Sequence, residues 1–344
     1  MNNIFESRKK MNVKTQVPVW FMRQAGRYHS HYQNIKKNSD FMTMCKNPDL
    51  ACEVTLGQIQ DFNFNAAILF SDLLFPLEHL GMGLKYDPGP KLSWHLEKPE
   101  DIKKLKPVSP AKDFFKFQAE ACRNLVNKLP QDVTLLGFVG APFTLYTYAV
   151  EGSHAGNLVS SRKGFYDGRF KAFCEILYPE LLEEMFLQVS GGADAVALFD
   201  TAAGELSPFD YEKFVVPEIK KITAAFKAKC PFAKIIYYSK HTNFSFIDAV
   251  ADKNIDVLGV DWRLDLKEVL KRYSKDFYIQ GNIDPIWLHL PWEHLEANLK
   301  TFHNNVKDCD LSKWICGLGH GVTIETPEMN VKKTVEYIHQ NFLY

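Results

Sequence analysis

The sequence predicts an α/β fold: a single-domain (β/α)8 barrel of the TIM type over residues 1–344, led by a short flexible segment over about 1–14. Three observations carry that expectation. Eight short runs rich in β-formers recur along the chain. Several are nearly continuous in apolar residues, as parallel strands covered on both faces are. Segments of helical periodicity separate them, the alternation of a barrel rather than of two domains. A doubly wound sheet is the runner-up, but the G-x-G-x-x-G fingerprint is absent.

The runs lie at 17–21, 66–70, 133–138, 194–199, 234–238, 256–260, 277–281 and 313–317. A helix is predicted over Pro48–Gln60, opened by Asn47-Pro48 and striped by Leu50, Val54 and Ile59. Phe170–Val189 spaces Phe173, Ile176, Leu177, Met185, Phe186 and Val189 in a helical way. Phe244–Ala251 and Leu266–Tyr273 are shorter, and Pro327–Phe342 closes the chain. The stretch 83–110, with five prolines, reads as a surface excursion.

Composition narrows the function class. Hydrophobic residues make up 46% and charged residues 24%, which excludes a disordered or collagenous chain. Lys+Arg and Asp+Glu both number 41, and that balance argues against a nucleic-acid surface. Seven cysteines without any C-x-x-C pair read as reduced thiols of a cytoplasmic protein. No apolar leader and no 18-residue apolar stretch is found, so no membrane association is expected. The neutral total nevertheless hides an asymmetry. Residues 1–40 hold eight Lys and Arg against two Asp and Glu, leaving 33 basic and 39 acidic residues in the remainder. Such a local field can draw in a polyanionic small molecule without making the protein a general polyanion binder.

In barrel enzymes the working side chains stand just past the C-terminal ends of the strands. After the first run comes Met22-Arg23-Gln24-Ala25-Gly26-Arg27-Tyr28, and after the second Ser71-Asp72. The third leads through Gly140-Ala141-Pro142-Phe143-Thr144 to Tyr148, the fourth ends at Asp200-Thr201, and the eighth at Gly317-Leu318-Gly319-His320-Gly321. Each residue has a plainer reading. Arg23 and Arg27, four apart, fit a solvated helix face; Asp72 and Thr201 fit caps; Tyr148 fits a core ring and His320 a turn. Coincidence at five exits of one ring favours a common site: two arginines, a carboxylate, a tyrosine, a hydroxyl and a histidine.

The same residues carry a specific resemblance. Pro18–Tyr28 and Gly137–Gly152 are similar to two signatures of the uroporphyrinogen decarboxylase family. Phe70-Ser71-Asp72, Leu198–Thr201, Gln280–Pro285 and Leu318–Gly321 resemble further family segments in the same order, from about residue 15 to the C-terminus. The resemblance implies a homodimeric barrel enzyme of haem and tetrapyrrole biosynthesis that uses no cofactor and no metal. Its reaction would convert the four acetate side chains of uroporphyrinogen III to methyl groups, giving coproporphyrinogen III and carbon dioxide. By position in the motifs, Arg23, Gln24, Ala25, Gly26 and Arg27 would line the substrate site, with Tyr148, Thr201 and His320 as further contacts. Asp72, also a substrate contact, and Arg23 would be catalytic. Four departures stand out. Val139 replaces a small residue, Ala202 an aromatic or imidazole residue, and Gly317 an asparagine, while Ser239-Lys240-His241-Thr242 lacks the glycine usual after its lysine.

The residue chemistry fits such a substrate. Eight carboxylates need cationic donors, and guanidinium offers them in fixed pairs. Four pyrrole N–H groups need an acceptor without a competing donor, and an ionised aspartate is one. Losing carbon dioxide needs an electron sink, which a protonated pyrrole supplies while a nearby carboxylate stabilises its cation. Asp72 suits the stabiliser, and Arg23 a carboxylate binder with a possible proton role. Two rival classes remain: a methyltransferase of related fold, disfavoured because no H-x-C occurs and His241 has no neighbouring cysteine, and a porphyrin carrier without activity.

Overall fold

A computed structural model describes residues 4–5 and 15–344. Most of the lead-in segment expected over 1–14 therefore lies outside the described residues. Ile4 and Phe5 are buried against the sheet, Ile4 donating its N–H to Thr134 Oγ1 at 3.0 Å.

Among the described residues nine strands form: β1 (Ala66–Ile68), β2 (Lys85–Tyr86), β3 (Pro90–Lys91), β4 (Thr134–Gly140), β5 (Ala195–Asp200), β6 (Lys234–Ser239), β7 (Val257–Gly259), β8 (Tyr278–Ile283) and β9 (Trp314–Leu318). Seven build one sheet in the order β1-β4-β5-β6-β7-β8-β9, parallel throughout. These match seven of the eight predicted runs. The two remaining strands, β2 and β3, make a small antiparallel ladder inside the proline-rich excursion.

The first run departs from expectation. Residues 17–21 form no regular strand but join the two ends of the sheet. Val19 pairs in parallel with Cys316 of β9, and Asn65, just before β1, donates its N–H to the Val19 carbonyl at 3.0 Å. Two features interrupt the ladder. Pro18 has no N–H to give, and the Val19 N–H is taken by the Asn65 side chain at 2.7 Å instead of by a backbone carbonyl.

Strand alternation sorts the side chains into two cores. Trp20, Ile68, Leu136, Ala197, Ile236 and Ile315 pack together on one face, while Val19, Ala67, Leu135, Val196, Ile235 and Ile279 meet the helices on the other. The helices fall close to the predicted spans. Pro48–Phe62 starts where the Asn47 side chain accepts from Asp49 and Leu50 N–H and stops at left-handed Asn63. Arg169–Ser190, Phe244–Val250, Leu266–Tyr273 and Glu328–Asn341 cover the other predicted segments. Among the described residues, no helix is long and apolar enough to cross a membrane. Because the seven strands run parallel, their C-terminal exits open on one edge, and the candidate residues gather there.

Candidate active site

The turn after residues 17–21 is fixed from below. Gln24 is fully buried; its Oε1 accepts from the Phe21 N–H at 3.1 Å and its Nε2 donates to the Ala66 carbonyl at 2.8 Å. Gln24 therefore braces the turn against β1. Tyr28 donates its hydroxyl to the Gln24 carbonyl at 2.7 Å, and Gly26 sits close over the Arg23 carbonyl. Ala25 and Gly26 are partly exposed and Arg27 is exposed. Arg23, at the head of the turn, adopts a left-handed backbone with φ 58° and an exposed side chain whose stem lies on Gly321.

Asp72 follows β1 in a partly buried position. One carboxylate oxygen accepts from the Leu74 N–H at 2.8 Å, a local turn of the kind the capping reading anticipates. The Tyr86 hydroxyl donates to the carboxylate as well. Burial pushes the Asp72 carboxyl above the usual range, and the Tyr86 and Leu74 hydrogen bonds and the Arg23 charge oppose that rise. Tyr86 belongs to the excursion that the sequence places on the surface, and no sequence signal ties it to Asp72.

Tyr148, on the helix Pro142–Glu151, feels the charges of both Asp72 and Arg23. Its hydroxyl is 2.6 Å from His154 Nδ1 and is pushed up to about 12, mainly by burial. His320 Nδ1 accepts from the Gly321 N–H at 2.6 Å, which leaves the proton on Nε2 as a donor. Burial, Arg23 and Lys240 hold His320 down at about 3. The same causes hold His154 at about 4. Both rings are therefore neutral at pH 7. Asp72, Tyr148 and His320 thus all stand within electrostatic reach of Arg23.

Thr201 stands at the exit of β5, partly buried, and its neighbour Asp200 is locked below it. Asp200 accepts from Thr144 Oγ1 at 3.0 Å and from the Tyr237 hydroxyl at 2.8 Å, and burial raises it to about 6. Ala202, fully buried, donates its N–H to Thr144 Oγ1 at 3.1 Å. The Gly317 departure has a steric reason: a side chain there would meet the Gln280 amide and the Trp20 carbonyl. The exit of β6 adds residues that the strand-end rule passed over. Lys240 follows β6 directly, and His241 after it is left-handed with φ 60°, the conformation that makes glycine usual at this position. Among the described residues, no group of three or more His, Cys, Asp or Glu side chains converges as a metal set.

Among the described residues, a carboxylate, two neutral imidazoles and unpaired cations gather at the C-terminal edge of a parallel sheet, where α/β enzymes carry their active sites. The chain belongs to the uroporphyrinogen decarboxylase family, whose model matches residues 5–341. It is 37% identical to the uroporphyrinogen decarboxylase of Thermodesulfovibrio yellowstonii over 328 residues, covering 94% of this chain and 93% of that one. It is 35% identical to that of Carboxydothermus hydrogenoformans over 345 residues, covering 99% and 97%. In fold it is similar to a methyltransferase from Methanosarcina mazei, with TM-score 0.74 and 18% identity over 98% of this chain and 97% of that one. A putative vitamin-B12 independent methionine synthase from Listeria monocytogenes follows at TM-score 0.58 and 14% identity, covering 95% and 96%.

Proposed function

We propose that the protein decarboxylates the four acetate side chains of uroporphyrinogen III to give coproporphyrinogen III and carbon dioxide. The observation that carries this reading is that the Arg23 charge acts on Asp72, Tyr148 and His320 together, in a chain of this family. Arg23 and Arg27 take carboxylates at the rim, and Ala25 and Gly26 line the turn between them. Asp72 accepts from the pyrrole N–H groups, while Tyr148, Thr201 and His320 hold the periphery. Gln24, wholly enclosed, acts by fixing the turn.

Each decarboxylation begins with a proton on a pyrrole carbon. The bond to the carboxylate carbon then breaks, carbon dioxide leaves, and the electron pair enters the cationic ring. A proton on the exocyclic carbon completes the methyl group, and the ring proton is returned. The ring is its own electron sink, so the scheme draws on no cofactor or metal. Asp72 stabilises the cation as it develops. Arg23 binds the departing carboxylate.

We further read residues 17–21 as an eighth stave that closes the seven-stranded sheet into a (β/α)8 barrel and makes 1–344 one domain. The Val19–Cys316 pairing and the Asn65–Val19 hydrogen bond support that reading. We take the enzyme to be a cytoplasmic homodimer that binds neither nucleic acid nor membrane; the seven unpaired thiols support a reducing compartment. The deciding experiment is anaerobic incubation with uroporphyrinogen III under reducing conditions, followed by oxidation and chromatography. Stepwise loss of carboxylates down to the tetracarboxylate is expected, and an unchanged octacarboxylate overturns the reading. A solution mass of one chain, 39.5 kDa, would overturn the dimer.

A further inference from the structure

We propose that Lys240 is a further anion-binding residue of the mouth, taking a carboxylate of the substrate on the side away from the Arg23 turn. The proposal rests on the reading of the site as a porphyrinogen pocket and adds a residue to it.

Placement comes first. Lys240 leaves β6, the fourth of the seven strands, whereas the Arg23 turn follows the segment joining the two end strands. The two residues therefore approach the mouth from opposite parts of the sheet, yet their charges are felt across it. A substrate with carboxylates around a whole macrocycle needs cations on both sides.

The backbone that carries Lys240 is built tightly. A side chain at Gly204 would run into the Lys240 carbonyl and His241. The His241 N–H donates to Asp261 Oδ2 at 2.6 Å, and Ser239 Oγ lies 2.8 Å from Thr242 Oγ1. A left-handed non-glycine residue held by such contacts is a pattern found at functional sites.

Charge supplies the third argument. Among the described residues, Lys240 forms no ion pair and its ammonium makes no hydrogen bond, although the residue is partly buried. Asp261, the nearby acid that could neutralise it, is engaged by Arg263 at 3.2 Å and by the backbone of His241 and Arg263. Glu205, from the exit of β5, acts on it only at a distance. Arg23 and Arg263 repel it, and it in turn depresses the neutral imidazoles of His154, His241 and His320. Burial and these cations weaken its hold on the proton. A desolvated cation among cations is unfavourable until an anion arrives, and such uncompensated groups mark binding sites.

The test uses the full-length enzyme with Lys240→Met and Lys240→Arg. Removing the charge is expected to raise KM for uroporphyrinogen about tenfold or more, with kcat within about threefold, because an anchor distant from the bond that breaks contributes mainly uniform binding. Arginine is expected to restore most of the affinity. The wild-type KM rises at alkaline pH as the ammonium discharges, and the arginine variant moves that rise to higher pH. A KM within twofold of wild type in Lys240→Met, or an arginine variant no better than methionine, overturns the proposal. Titration of the oxidised octacarboxylate, uroporphyrin, by fluorescence measures the same site without turnover. Tight binding to wild type that weakens in Lys240→Met would support the subsite even if decarboxylation failed. Normal turnover with binding indifferent to Lys240 would remove the subsite alone.

Discussion

The stem of Arg23 lies where a side chain at position 321 would be. A Cβ built on Gly321 overlaps the Arg23 Cγ and Cδ and crowds its Cβ, so the glycine after His320 is what admits the guanidinium to the mouth. Gly321→Ala must displace either the arginine or the His320-Gly321 turn. Because the Arg23 Cβ is fixed to the backbone, the clash cannot be relieved at the tip alone. The expected result is a fall in kcat/KM of about 10- to 100-fold, equivalent to about 1.4–2.7 kcal/mol. Steady-state kinetics would detect it, and rates near wild type would show that Arg23 is not held by this contact.

The hydrogen bond from Tyr86 to Asp72 separates two roles for the carboxylate. If the anion stabilises the ring cation, turnover needs Asp72 ionised, and the acidic limb of kcat/KM reports its titration. Tyr86→Phe removes a donor to the anion that opposes the upward push of burial. The Asp72 carboxyl then rises further and the acidic limb moves to higher pH. Were the protonated form the working one, the same variant would instead extend activity toward alkaline pH. Asp72→Ala should abolish turnover and Asp72→Glu should retain a little; an alanine variant at near wild-type rates would sink the assignment.

Glu184 gives a stability signature under the same wall. It is fully enclosed, accepts from Gln118 Nε2 at 2.7 Å, and among the described residues its second oxygen has no hydrogen-bond partner. Burial, with a smaller push from Asp72, raises its carboxyl to about 8. The folded-state value lies above the unfolded one. Its contribution is therefore fully present below about pH 4.5 and declines as pH rises toward 8, by about 1.4 kcal/mol per unit. Glu184→Gln, an isostere of the protonated acid, should flatten the denaturant midpoint between pH 6 and 8. A variant that keeps the wild-type slope would show that another group carries the effect.

The strands legible in the sequence were those buried on both faces, because continuous apolar runs leave few alternatives. Residues 17–21 read as a strand for the same reason, but the pairing there depends on the Asn65 side chain and on the missing N–H of Pro18, which apolar patterning does not encode. At the site, the strand-exit rule and the motifs led to Arg23, Asp72 and His320, two or three residues beyond a run, and to Tyr148, ten residues beyond its run. Gln24 carries the same motif position, yet its amide is spent on Phe21 and Ala66. Tyr86 and His154 reach the mouth through tertiary folding of an excursion and of a helix end, with no periodicity to announce them. Lys240, two residues beyond the fifth run, stands in a segment that the sequence marks only by its missing glycine.

His241 allows a test of what its departure from glycine costs. An L-residue with φ 60° bears a penalty of about 1–2 kcal/mol relative to right-handed backbone, which glycine does not. Against that stands one edge-on contact of the imidazole with Trp262, centroids 6.3 Å apart, in a ring that is only partly buried. The backbone hydrogen bond to Asp261 survives any substitution except proline. His241→Gly should therefore stabilise the fold, by about 0.5–1 kcal/mol once the greater freedom of glycine in the unfolded chain is set against the relief. His241→Ala separates the two effects, since it keeps the strained Cβ and loses the ring. It should be no more stable than wild type. Equilibrium unfolding of the three proteins decides the matter: if glycine is less stable than wild type but more stable than alanine, the Trp262 contact outweighs the backbone strain, and if alanine is the more stable variant, the strain assignment fails.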